Sequence, residues 1–153
     1  MAVSSDACAV LSTYSLGSCI GVVAYDGAAM SGGILHVMLP DSSIAPERAA
    51  KQPSMFADTG IALFLRALGG LGAERERTRL FVAGGASVLA GHDPYKIGER
   101  NTRAVLALLG ERGYEVGRTV VGGAVNRALH LEMSTGLVTL TTPTEGGQCS
   151  LAN

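Results

Sequence analysis

Apolar positions along this chain follow two rhythms, a strand-like one near both ends and a helix-like one in the middle. Residues 7 to 14 (ACAVLSTY) and 19 to 25 (CIGVVAY) are short runs rich in apolar and β-branched side chains and predict strands. The second closes on Asp26-Gly27, the strongest short hairpin signal, so a third strand, GGILHVML, is expected at 32 to 39. Both faces of these runs are apolar, which predicts strands covered on two sides. Pro40-Asp41-Ser42-Ser43 through Pro46 reads as a polar surface loop.

Residues 54 to 68 (SMFADTGIALFLRAL) are apolar nearly all round, with Gly69-Gly70 past the end, and predict a largely buried helix. RLFVAGGAS gives a strand ending in Gly84-Gly85, where the backbone turns sharply or approaches something closely. Asn101 is expected to cap a second helix running to about Glu111, with Ala104, Val105, Leu108 and Leu109 inward. EVGRTVVGG, ALHLEM and LVTLTT predict further strands, the last two joined across Ser134-Thr135-Gly136, and the tail from Thr144 is expected to fray. Roughly seven strands and two helices, with strands gathered at both ends of the chain, predict an α+β fold rather than a Rossmann alternation. At 153 residues the chain is expected to make one domain.

Charge narrows the function classes. A formal net charge of −1 without any Lys/Arg run argues against nucleic-acid or anionic-membrane partners. The uncharged stretch from Ala7 to Tyr25 is broken by Gly17 and Gly21 and by hydroxyl residues, so it is not read as a membrane span. The first Lys or Arg is Arg48, so a secretory signal is not expected and a cytoplasmic location is. Three cysteines, Cys8, Cys19 and Cys149, lack C-x-x-C spacing and are expected to be free thiols. The histidines His36, His92 and His130 are too scattered for a metal-binding pair. No metal site is expected from that spacing.

Cys19 follows a tight Leu16-Gly17-Ser18 bend, and antiparallel pairing after it determines which residues face one another. If the hairpin loop centres between Gly27 and Ala28, Cys19 lies opposite His36. If Asp26-Gly27 is itself a two-residue turn, Cys19 faces Ile34 and His36 is diagonal. Either register puts thiol and imidazole on one face. That pair makes a thiolate nucleophile when the imidazole takes the proton, and a rim position after the bend would let backbone N–H groups cradle an oxyanion. The competing reading is a buried thiol and a hydrogen-bonded core histidine.

An ordered set of segments now becomes informative: TYSLGSCIGV at 13 to 22, GGILHVMLP at 32 to 40, FADTGIALFL at 56 to 65, AGGAS at 83 to 87, IGERN at 97 to 101, and VGG followed by Arg127. Together they resemble the chemoreceptor glutamine deamidase family, CheD, of bacterial chemotaxis, over nearly the whole chain. The resemblance implies an enzyme that hydrolyses selected glutamine side-chain amides on chemoreceptor cytoplasmic helices, without a cofactor. It places the family's catalytic cysteine on Cys19, its histidine on His36 and its threonine on Thr13. It also implies an α+β fold with a β-sandwich-like core and two main helices packed on it, three layers in the order α/β/β, similar to a bacterial toxin deamidase domain, and a CheC-type phosphatase as a candidate partner, which leaves a chiefly adaptor role or action on other protein glutamines as alternatives. One departure stands out: where the family often carries an acidic residue before GG, this chain has Val120-Val121.

Overall fold

The computed structural model describes residues 1–87 and 94–152; His92 lies outside them. In chain order the elements are β1 (Ala2–Ser4), β2 (Val10–Leu16), β3 (Ile20–Asp26), β4 (Ser31–Val37), α1 (Pro46–Lys51), α2 (Ala57–Gly70), β5 (Arg79–Gly84), α3 (Ile97–Glu111), β6 (Val116–Val121), β7 (Arg127–Glu132), β8 (Leu137–Thr141) and β9 (Gly146–Ser150). The strands form two sheets, ordered β1-β4-β3-β5-β6 and β2-β7-β8-β9. Neighbours pair antiparallel except β5 and β6, which are parallel and are connected through α3. The fold is α+β with a strand-rich core, as the hydrophobic pattern predicts.

All seven residues of β3 are buried because the strand sits between two apolar layers. Ile20, Val22 and Ala24 pack under Ile61, Phe64 and Leu68 of α2 and Val105 and Leu109 of α3. Val23 and Tyr25 point the other way, into a core shared with Leu129, Leu131 and Val138 of the second sheet. Period-two alternation thus serves two cores at once. Among the described residues no helix is long and apolar enough to cross a membrane.

Several expectations shift. Nine strands and three helices are present among the described residues. β1 is only three residues long, too short to show a period. α1 begins on Pro46 within a segment read as loop, Pro at its first turn being compatible with a helix start. The tail expected to fray forms β9, paired with β8 from Leu137↔Ser150 to Thr141↔Gly146 and anchored by buried Leu151. Its two glycines conceal it from a propensity reading.

The β3–β4 turn contains a buried charge. The Asp26 carboxylate, fully buried, accepts from the N–H groups of Ala28, Ala29 and Glu74 and pairs with Arg77 at 3.0 Å. Burial alone would push its carboxyl up, but the Glu74 amide, the Arg77 side chain and the Ala29 amide hold it below the usual range. A carboxylate depressed in the folded state adds stability above the unfolded-chain pKa of about 4, and loses it as pH falls through the lower folded value. Asp26→Asn is therefore expected to cost about 2–3 kcal/mol at neutral pH, a difference that shrinks below about pH 4. Urea denaturation of both proteins at neutral and acid pH measures it.

Candidate active site

Thr13, Cys19 and His36 come from three different strand contexts. β2 belongs to the second sheet and β3 to the first, so residues 17–19 carry the chain across the sandwich. Fully buried Leu16 plugs the core at the start of the crossing. A register shift between Thr13 and Leu16 and the left-handed Ser15, φ 59°, form a bulge that turns the strand toward the other sheet.

The crossover is pinned from several sides. Ala86 N–H donates to Gly17 O at 2.8 Å and Gly85 N–H to Cys19 O at 2.9 Å. The side-chain amide of Asn101 donates to Ser18 O and to Met38 O, each at 2.9 Å. One fully buried residue thereby ties the bend before Cys19 to the strand end after His36. Gly84, at φ 118°, approaches so closely that a Cβ there would lie 2.1 Å from Cys19 O. Helix α3 closes in behind: a Cβ on Gly98 would lie 2.5 Å from Gly85 O.

The hairpin takes neither expected register. Asp26 pairs with Ser31 and Gly21 with His36, leaving four residues, 27–30, in the turn. Cys19, immediately before β3, is diagonal to His36. Parity is preserved all the same, so both residues belong to the face turned toward the second sheet, where Cys19 packs half-buried against the inter-sheet core. Across the sandwich, Thr13 Oγ1 and His36 Nδ1 are 2.8 Å apart. His36 Nε2 is buried and has no hydrogen-bond partner.

With the ring proton on Nδ1, that nitrogen donates to the Thr13 hydroxyl and Nε2 carries the free lone pair. Burial pushes the Cys19 thiol up; it pushes His36 down, and the Met1 ammonium adds to this. Both shifts favour thiol and neutral imidazole over a preformed thiolate–imidazolium pair. The other cysteines lie elsewhere: Cys8 is exposed in the turn before β2, and Cys149 is half-buried in β9. His130 bonds Ser12 Oγ at 2.8 Å in an exposed pair, separate from the trio. Among the described residues no group of three His, Cys, Asp or Glu is placed to hold a metal ion.

Asn101 is not the N-cap its sequence context suggests. Helix α3 starts four residues earlier, at Ile97, where Gly98 allows the first turn to press on Gly85. The signal was present in the periodicity: Gly98, Asn101, Val105 and Leu109 are the buried positions of α3, so a polar residue stands in the apolar stripe.

Comparison with known proteins bears on the family of the whole chain. A family model described as CheD chemotactic sensory transduction matches residues 38–142, a stretch that begins two residues past His36. A protein of Solibacter usitatus (strain Ellin6076), named probable chemoreceptor glutamine deamidase CheD, is 45% identical over 127 residues, 83% of this chain and 75% of its own length. One from Syntrophus aciditrophicus (strain SB), named probable chemoreceptor glutamine deamidase CheD 1, is 41% identical across 84% of this chain and 81% of its own. Another from Anaeromyxobacter dehalogenans (strain 2CP-C), named probable chemoreceptor glutamine deamidase CheD 2, is 39% identical over 140 residues, 92% of this chain and 88% of its own.

Proposed function

The chain belongs to the CheD family, and from that premise we propose that it is a cysteine-dependent deamidase acting on glutamine side chains of chemoreceptor cytoplasmic helices. The observation that carries this reading is the imidazole of His36, held at Nδ1 by Thr13 with Nε2 unpartnered on the face it shares with Cys19.

The proton on Cys19 Sγ passes to His36 Nε2 as sulfur attacks the amide carbon. The imidazolium returns that proton to the departing nitrogen, ammonia leaves, and a thioester to Cys19 remains. Nε2 then takes a proton from water, whose oxygen attacks the thioester; glutamate forms and the thiol is restored. A half-buried site suits this order, because charge appears only after substrate has displaced water. Thr13 acts as a positioning residue, fixing the ring and its tautomer.

Peptide-level mass spectrometry of a chemoreceptor cytoplasmic fragment incubated with the protein tests the substrate. Selected glutamines are expected to appear as glutamate; a fragment unchanged throughout contradicts the reading. Thr13→Val is expected to lower kcat by about 10–100-fold, with KM little changed, because a misaimed base loses its near-attack geometry. Thr13→Ser should restore most of the rate. An unaltered kcat in Thr13→Val would remove the threonine from the mechanism.

A further inference from the structure

β6 and β9 are the edge strands of their sheets, and between the sheets on that side opens a cleft of about 390 Å³. Neither Cys19 nor His36 lines it. Its apolar walls are Phe81 and Val120 from the first sheet and Val138 and Leu140 from the second.

Arg127 also lines this cleft and is only 8% exposed. Its contacts are long ones, Nη1 to the carbonyls of Gly84 and Val125, each at 3.4 Å. Nε is buried without a partner, and no carboxylate pairs with the guanidinium among the described residues. A buried cation compensated only by distant carbonyls is costly unless something else neutralises it.

The charged residues lining the cleft indicate what that is. Arg118, Arg127 and one carboxylate, Glu145, line it, so the site has one net positive charge and matches a monoanion better than a dianion. The guanidinium fork matches a carboxylate with two parallel hydrogen bonds. The volume lies within the roughly 300–1,000 Å³ of small-molecule sites, which are mostly apolar with a few convergent polar groups. We propose that this cleft binds a small organic monocarboxylate, its carboxylate on Arg127 and its apolar body between Phe81, Val120, Val138 and Leu140. The site is separate from the Cys19 chemistry, and its existence does not depend on the deamidase reading.

Two-dimensional NMR with phenylacetate, against its neutral isostere phenylacetamide, tests the proposal. Phenylacetate is expected to shift the Arg127 Nε–H signal and the amides of Val120 and Leu140 saturably, and phenylacetamide to bind at least about tenfold more weakly. Arg127→Gln should lose the response. Val120→Glu retains the arginine but builds a carboxylate into the cleft; it should abolish phenylacetate binding and raise the melting temperature. Equal binding of acid and amide, retained binding in folded Arg127→Gln, no saturable shift at Arg127, or a Val120→Glu protein that still binds phenylacetate would each overturn the assignment.

Discussion

His36→Ala is expected to lower kcat for receptor-glutamine deamidation by at least about 10³-fold while the protein stays folded. The magnitude follows from the proton transfers the ring makes, from the thiol, to the departing nitrogen and from the attacking water. None has a substitute, since among the described residues Thr13 is the ring's only hydrogen-bonding neighbour and a hydroxyl is too weak a base. The wild-type pH profile provides a second reading of the same residue. Burial and the Met1 ammonium lower His36 from its ordinary 6.5, and burial raises Cys19 from 9.0. The active form, neutral imidazole with protonated thiol, is lost as pH falls through the depressed histidine value. The acid limb of kcat/KM should therefore have its midpoint below 6.5, followed by a plateau through neutral pH. A midpoint above 6.5 would mean that the imidazolium is favoured at rest, contrary to the burial of Nε2.

Gly84→Ala is expected to be the most damaging glycine-to-alanine change among the described residues, costing about 3 kcal/mol or more of stability and over about 100-fold in kcat. Two independent causes add. The backbone at φ 118° is a conformation that side-chain-bearing residues rarely adopt. The new Cβ would also lie 2.1 Å from the backbone oxygen of Cys19, an atom with no rotamer to move. Relief requires displacing either β5 or the crossover, and the crossover contains the nucleophile. Gly70→Ala is the control, since nothing lies within 4 Å of a Cβ there; thermal unfolding and kcat of the two variants, measured together, separate the clash from a generic glycine effect.

The strand pair around Asp26-Gly27 was legible because its signal is local: apolar runs and a turn dipeptide. Face-sharing between Cys19 and His36 survived a wrong register because a shift of whole pairs preserves side-chain parity. The register itself was not legible, since Asp26 prefers to be buried and hydrogen-bonded to Glu74 and Arg77, distant in sequence, rather than to occupy the turn. Thr13 could be placed only by resemblance, because its contact with His36 crosses from one sheet to the other and no local pattern encodes that. Asn101 was misassigned for the same reason: its partners, Ser18 and Met38, lie far away in the chain. Gly84-Gly85 signals a sharp turn or a close approach but not its object, because the Cys19 carbonyl beside Gly84 and the first turns of α3 beside Gly85 are distant in sequence.

The central claim is that Cys19 is the nucleophile of a glutamine deamidase. It is tested most directly by incubating one chemoreceptor cytoplasmic fragment with wild type and with Cys19→Ala, both shown folded, and reading glutamine-to-glutamate conversion by mass spectrometry. Conversion by wild type and none by Cys19→Ala is the predicted result. Equal conversion by the two proteins, or none by wild type, would contradict it.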